Sequence, residues 1–118
     1  MNTITIYSKI SRDHLMMKIR NSHKLFLIEF GAAWCGTCQI MEPIINDLLT
    51  MYHDQLELVR VDIEQNQYVA EEYGIGIIPS YIFIRDGLVV DYIFHSASKS
   101  VFENIIKSQL SVKSKINV

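Results

Sequence analysis

The chain has 118 residues, of which 49% are hydrophobic and 20% are charged, and its formal net charge is −2. This length and balance predict one globular domain with a core of its own. The weak negative charge, with no basic stripe, argues against a nucleic-acid partner. No apolar run approaches the ~20 residues that span a bilayer, so we expect no membrane segment.

The N-terminal segment, residues 1–7, lacks the basic start, the long apolar run and the small-residue cleavage site of a secretory signal. We therefore expect a cytoplasmic protein. In that reducing compartment a lone pair of cysteines is more often catalytic than structural.

Hydrophobic periodicity predicts alternating strands and helices from the start of the chain to about residue 74. The predicted elements are strands over 3–7, 25–30 and 56–62 and helices over 12–21, 35–52 and 65–73. Ser11 can cap the first helix, and Pro43 should kink the second. Gly74 suits the position just after the third helix.

The last third of the chain predicts a hairpin and a final helix. Strands over 80–85 and 88–94 are joined by Asp86-Gly87, a strong hairpin signal. Ser98 can cap a helix that buries Val101, Phe102, Ile105, Ile106 and Leu110. The element order predicts an α/β fold, a three-layer α/β/α sandwich with a central five-stranded mixed sheet and four helices. The domain would cover residues 1–110, with a polar tail over 111–118.

Both cysteines lie in the run Trp34-Cys35-Gly36-Thr37-Cys38, where the second strand gives way to a helix. Two thiols separated by two residues can meet across one helical turn and cycle between dithiol and disulfide. A cysteine that opens a helix faces unpaired N–H groups and the positive end of the helix dipole, which lowers its thiol pKa. The pattern indicates a redox site with Cys35 as a nucleophile at neutral pH.

Two other uses of the cysteines remain open on the residues alone. They could form half of a zinc site, but the four histidines that would complete it are scattered and form no second paired motif. They could also form a static disulfide, which a reducing compartment disfavours. We expect no metal.

The element order and the cysteine motif resemble the thioredoxin family over nearly the whole chain, as far as Leu110. Four further landmarks of that family match: an acid six positions before the first cysteine, a proline five positions after the second, a basic residue in the third strand and a cis-proline before the fourth strand. In this chain they are Glu29, Pro43, Arg60 and Pro79. The resemblance implies the thioredoxin fold and a thiol–disulfide oxidoreductase.

The resemblance also implies different roles for the two sulfurs. Cys35, exposed at the helix start, would attack a protein disulfide, and Cys38, one turn deeper, would resolve the mixed disulfide. Glu29 would accept or relay the proton of Cys38, and Arg60 would be the salt-bridge partner of Glu29. Burial should raise the pKa of Glu29 while Arg60 lowers it, a balance that depends on distances.

Substrate would be bound, by the same resemblance, through Trp34, Gly36 and Thr37 beside the cysteines and through Ile78 and Pro79. Ile78 would offer its backbone N–H and C=O to a bound peptide, as an added strand does. No bound cofactor is expected, because the Cys35–Cys38 pair itself holds both electrons. A flavoprotein thioredoxin reductase, or another thiol donor, would supply those electrons.

Three positions depart from the family pattern. Thr37 replaces a proline, and its hydroxyl can hydrogen-bond a thiolate, so we predict a reduction potential above the ~−270 mV of thioredoxin. Gly31 replaces a tryptophan and His95 replaces a glycine, both near the expected substrate groove. An imidazolium at His95 beside Cys35 would lower the thiol pKa further, whereas a surface loop histidine would have no such effect.

The changed groove positions leave a second function open: a thioredoxin-fold binding or chaperone-like module with little general reductase activity. An enzyme specialised for one target protein is a third reading. Reduction of insulin, with Cys35→Ser as control, distinguishes a general reductase from a binding module.

Overall fold

The computed structural model describes residues 3–6, 11–20 and 22–112. The elements are β1 Thr3–Ile6, α1 Arg12–Ile19, β2 Leu25–Gly31, α2 Gly36–Met51, β3 Leu56–Asp62, α3 Gln67–Glu72, β4 Ser80–Arg85, β5 Leu88–Phe94 and α4 Lys99–Leu110. Their order is the predicted one. Two predicted features, the extension of β1 to Tyr7 and most of the polar tail (113–118), lie outside the described residues.

The strands form one mixed sheet in the order β1-β3-β2-β4-β5. β3 pairs in parallel with both β1 and β2, and β4 pairs antiparallel with both β2 and β5. The β4–β5 turn needs positive φ at Asp86 and Gly87, with values of 54° and 79°. Glycine adopts this conformation without steric cost, and aspartate tolerates it better than most residues, which is why this dipeptide closes the hairpin.

Alternate residues of the sheet feed two separate cores, because neighbouring side chains of a strand point to opposite faces. On one face, Phe26, Ile28 and Phe30 of β2 pack with residues of α1 and α3. On the other face, Leu25 and Leu27 pack with residues of α2 and α4. The helices therefore cover both faces of the sheet, and the predicted three-layer α/β/α arrangement is confirmed.

One edge of the sheet collects the loops that matter for the site. Gly31 at the end of β2 lies opposite Asp62 at the end of β3, and Phe30 lies opposite Ser80 at the start of β4. Ser80 in turn lies opposite Phe94 at the end of β5. The loop that leads into α2, the segment before β4 and the loop after β5 consequently meet at the same edge.

Helix α3 is shorter than predicted and starts at Gln67, with Asn66 as its first flanking residue. Residues 63–65 instead form a turn, in which the Glu64 N–H donates to the Asp62 carboxylate at 3.1 Å. The Asn66 side-chain amide donates to the backbone carbonyl of Asp62 at 2.9 Å. These local bonds compete with helical ones and delay the start of the helix.

Two predictions for α4 are wrong. Val101 is 42% exposed rather than buried, because the helix turns its inner face toward Phe102 and Ile106. Ser98 precedes the helix but makes no capping bond, since its hydroxyl pairs with that of Ser100 at 3.0 Å. Ser11, by contrast, accepts the N–H of His14 at 3.1 Å and caps α1 as predicted.

Candidate active site

The two cysteines form a disulfide at the N-terminus of α2. Cys35 is the flanking residue of the helix, and Cys38 lies in its first turn, with the two Cα atoms 5.3 Å apart. The N–H of Cys38 donates to the Cys35 sulfur at 3.1 Å. The N–H of Cys38 lies in the first turn, where N–H groups have no carbonyl acceptor within the helix. Because it points at the Cys35 sulfur, it would stabilise a thiolate there.

The exposure of the two sulfur-bearing residues differs from the expectation. Cys35 is only 5% exposed, whereas Cys38 is half-buried. The prediction of an exposed Cys35 is therefore wrong for the disulfide state, because its sulfur lies back over the first turn of α2, where it is bonded to Cys38. Trp34, directly before it, is 65% exposed and belongs to the surface rather than the core.

The strand pattern places three polar side chains under α2. Glu29 follows Leu25 and Leu27 at two-residue steps, so it points to the same face of the sheet as they do. Arg60 of β3 and Tyr81 of β4 lie directly opposite Glu29 on the neighbouring strands. Cross-strand register, rather than proximity in sequence, brings this group together.

Glu29 is a buried carboxylate with one ion pair. Its side chain is 8% exposed, and its Oε1 accepts from Arg60 Nε at 3.0 Å. Burial raises the pKa of Glu29 above its ordinary value, and Arg60 offsets this only in part. Oε2 makes no close hydrogen bond among the described residues, but the nearby Tyr81 hydroxyl interacts with the carboxylate and, like Arg60, favours its anion. Burial, reinforced by Glu29, also raises the pKa of Tyr81.

A cavity of about 320 Å³ opens beside the disulfide. Its lining includes Cys38, Glu29, Arg60, Glu42 and Asp62, but Cys35 is not part of it. The Oε1 atom of Glu42 also lies 3.8 Å from Nη2 of Arg60. Cys38 therefore shares a cavity with Glu29 and Arg60, whereas Cys35 does not line that cavity.

Gly31 leaves the cavity open next to the sulfur. A Cβ placed on Gly31 would lie 3.0 Å from Cys38 Sγ, tighter than ordinary van der Waals contact. The φ of Gly31 lies outside the positive range, so the backbone does not demand glycine here. The close approach of the sulfur is what a side chain at this position would disturb.

The remaining predicted site residues lie along the same sheet edge. The Ile78–Pro79 peptide bond is cis, and Pro79 is buried directly before β4. His95 follows β5 with φ 70°, the left-handed conformation that explains the glycine usual at this position. Its ring lies 3.5 Å from the Ser96 hydroxyl, and it does not line the cavity beside Cys38.

Three residues of the site did not stand out in the sequence: Glu42, Asp62 and Tyr81. Glu42 follows Cys38 by four residues, a helical spacing that places it one turn further on the same side of α2. Tyr81 is identified only by its register against Glu29. Within the described residues, no group of three histidine, cysteine or acidic side chains could hold a metal ion.

Comparison with known proteins decides the family. The Thioredoxin family model matches residues 7–108. The chain belongs to the thioredoxin family. Thioredoxin H4 of Arabidopsis thaliana is 34% identical over 90 residues, 76% of each chain. Thioredoxin 1 of Synechococcus elongatus is 33% identical over 84 residues, 71% of this chain and 78% of that one.

Solved structures agree with this assignment to the thioredoxin family. The crystal structure of thioredoxin NaTrxh from Nicotiana alata superposes with a TM-score of 0.79 at 28% identity, covering 92% of both chains. Reduced Schistosoma mansoni thioredoxin superposes with a TM-score of 0.76 at 28% identity, covering 92% of this chain and 98% of that one. The predicted thioredoxin fold, with a mixed sheet and four helices, is confirmed.

This thioredoxin-family chain is a thiol–disulfide oxidoreductase, and its redox centre is the Cys35–Cys38 pair. The prediction of an enzyme is confirmed, and the alternative of a binding module is not favoured. None of the described helices has the length and hydropathy that a bilayer crossing requires.

Proposed function

We propose that the enzyme reduces disulfides of target proteins with Cys35 as the attacking sulfur. The Cys35 thiolate attacks a target disulfide, joins one target sulfur and releases the other as a thiolate. Cys38 then attacks Cys35, closes the Cys35–Cys38 disulfide and frees the second target sulfur. The observation that carries this proposal is the Cys38 N–H aimed at Cys35 Sγ at the start of α2.

Glu29 is proposed to handle the proton of Cys38. Both residues line one cavity, and the Oε2 of Glu29 has no hydrogen-bond partner among the described residues. Because burial raises the pKa of Glu29, its carboxyl keeps a proton to higher pH than an ordinary glutamate does. Arg60 acts as a positioning residue, since its Nε holds the other carboxylate oxygen at 3.0 Å.

Target peptides are proposed to bind along the sheet edge where the cysteines lie. Ile78, half-buried before the cis-proline, would pair its backbone with an extended peptide. The exposed indole of Trp34, with Gly36 and Thr37, would form the other side of this groove. His95 enters the same edge from the loop after β5.

We also propose that the protein needs no bound cofactor, because two electrons are stored in the cysteine pair. A flavoprotein reductase of the kind that serves thioredoxins is the proposed electron donor, and the cytoplasm is the proposed compartment. The match to the thioredoxin family supports the donor, and a redox-active cysteine pair with no other cysteine in the sequence fits a reducing compartment. Coupled oxidation of NADPH by a purified thioredoxin reductase and this protein would test the donor.

Insulin reduction tests the proposed function. The wild type with dithiothreitol should precipitate the insulin B chain at least tenfold faster than Cys35→Ser, because only Cys35 starts the exchange. The Cys38→Ser variant should accumulate a covalent adduct with target proteins that dithiothreitol releases. Equal rates for wild type and Cys35→Ser would contradict the proposal.

The reduction potential tests the effect of Thr37. A hydroxyl at the helix start can donate to the thiolate of the reduced form, which favours that form and raises the potential. Equilibration with glutathione buffers should place the wild type above ~−270 mV. Thr37→Pro, which removes the hydroxyl, should lower the potential. A wild-type value at or below that mark would be evidence against this role.

A further inference from the structure

The cavity beside the disulfide is lined by Cys38, the cysteine that does not attack the target protein in the proposed function. Cys38 is half-buried and lines the cavity, whereas Cys35 is 5% exposed and does not. Ala33, Gln39 and Glu42 line the same cavity and are exposed, so it opens at the surface. A reagent small enough for about 320 Å³ can therefore approach Cys38 without occupying the peptide groove.

The chemistry of the disulfide favours attack at the same sulfur. Nucleophilic attack on Cys38 expels Cys35 as the leaving thiolate, and a leaving thiol of lower pKa departs faster. The Cys38 N–H already donates to Cys35 Sγ at 3.1 Å, at the positive end of a 16-residue helix. Attack on Cys35 would instead expel Cys38, which lies in the cavity with the buried carboxylate of Glu29.

Gly31 controls this access. Gly31 lines the cavity, and a Cβ at this position would already lie 3.0 Å from Cys38 Sγ, so a larger side chain would crowd that sulfur and occupy space that glycine leaves open. The charges of the cavity add a preference. Glu29, Glu42 and Asp62 contribute three carboxyl groups, against the one guanidinium of Arg60. A neutral or cationic thiol fits this balance better than an anionic one.

We propose that the cavity beside the disulfide admits low-molecular-weight aminothiols to Cys38, so that they reduce the enzyme directly through its second cysteine. This route rests on the proposed function, since it regenerates the dithiol that target reduction consumes. It would serve beside a flavoprotein reductase or in its place.

The exchange balances in two steps. A thiolate RS⁻ attacks Cys38 Sγ, the Cys35–Cys38 bond breaks, and an R–S–S–Cys38 bond forms while Cys35 leaves as a thiolate. A second RS⁻ attacks the R-bearing sulfur, forms RSSR and releases Cys38 as a thiolate, which takes up a proton. Two thiols are oxidised, the protein disulfide is reduced, and their protons pass to solvent and the protein.

Single-cysteine variants test the access to each sulfur. Cys35→Ser leaves Cys38 alone, and Cys38→Ser leaves Cys35 alone. Each is treated with cystamine, the disulfide of an aminothiol, and with the anionic 3,3′-dithiodipropionate, over a range of pH. Mass spectrometry follows the formation of the mixed disulfide at each pH. The pH profile of the rate then gives the rate constant of the fully ionised thiolate, and comparing these constants removes the effect of different thiol pKa values. We expect the cystamine-to-dithiodipropionate rate ratio to be at least fivefold larger at Cys38 than at Cys35, and a smaller ratio overturns the proposal.

Gly31→Trp fills the cavity in both backgrounds. We expect the cystamine rate constant of Cys38 to fall at least fivefold, with a smaller fall at Cys35. A smaller change at Cys38, or an equal fall at both sulfurs, overturns the proposal. Gly31→Ala, which adds only the Cβ, gives a second measurement if the tryptophan variant does not fold, and at least a twofold fall at Cys38 is then required.

Failure of this inference is distinguishable from failure of the proposed function. A single turnover of the prereduced wild type with insulin, after removal of dithiothreitol, reports on target reduction alone. If the wild type reduces insulin while Cys38 shows no preference for cystamine and no response to Gly31→Trp, only the aminothiol route is wrong. If insulin is not reduced but Cys38 responds as expected, the route of access stands and the proposed function is wrong.

Discussion

Two opposing effects act on the pKa of the Glu29 carboxylate. Burial of 92% of its side chain favours the neutral acid, whereas Arg60 at 3.0 Å favours the anion. Burial is the larger effect, so the pKa is raised. A group that the fold keeps protonated to higher pH than the unfolded chain does makes the fold less stable as the pH rises.

A pH series of the oxidised protein tests this prediction for Glu29. Between the ordinary glutamate pKa of 4.5 and the raised value, the native state binds more protons than the unfolded state, so the free energy of unfolding should fall with pH. Glu29→Gln removes this contribution, and its stability relative to wild type should increase over that range and then level off. Urea unfolding at pH 4–9 measures it. Glu71→Gln, at an exposed site, controls for the loss of one carboxyl group.

If the difference between Glu29→Gln and wild type stays constant over this pH range, the Glu29 prediction is wrong. The variant keeps the side-chain size, and Arg60 retains Glu42 at 3.8 Å as a second partner. The comparison therefore reports mainly on the ionisation of Glu29.

A serine precedes each of the helices α1 and α4, but only one of the two serines caps its helix. Both Ser11 and Ser98 have extended backbone angles, as flanking residues of helices do. Only Ser11 satisfies a helical N–H, that of His14. Sequence predicted both caps, but the position of Ser100 gives the Ser98 hydroxyl a competing partner.

Serine-to-alanine changes at these two sites should therefore differ. Ser11→Ala should lower the free energy of unfolding by about 1 kcal/mol, because the His14 N–H loses its acceptor. Ser98→Ala should change it by less than about 0.5 kcal/mol, as surface changes usually do. Chemical denaturation of both variants measures the difference. Equal losses would show that the hydroxyl of Ser98 caps α4 after all.

For the whole molecule, the face of the sheet that supports the active site depends on Phe102. Its ring is fully buried and meets Tyr81 edge-on, with centroids 5.0 Å apart. Tyr81 lies opposite Glu29 in the sheet, so the packing of α4 reaches the group beneath α2. Val101, the preceding residue, is 42% exposed and takes little part in this core.

Alanine at these adjacent positions should show the contrast. Phe102→Ala should cost about 3–5 kcal/mol, because it leaves a cavity between α4 and the sheet. Val101→Ala should stay within about 0.5 kcal/mol of wild type. Thermal and urea unfolding of the two variants provide the measurement, and a loss at Val101 as large as that at Phe102 would contradict the observed orientation of α4.

The sequence by itself determined the order of the elements, the hairpin at Asp86-Gly87 and the cysteine pair at the start of a helix. These features depend on local periodicity, turn chemistry and short spacing, which a single chain displays directly. The matched landmarks Glu29, Arg60 and Pro79 also came from fixed positions in the sequence.

Tertiary structure alone decided which sulfur faces a cavity, how far Cys35 is buried and how Glu42 and Tyr81 join the site. Each of these depends on the register between strands and on the volume that a residue such as Gly31 leaves empty. Neither quantity has a local signal, because both arise only when segments far apart in the chain pack against one another.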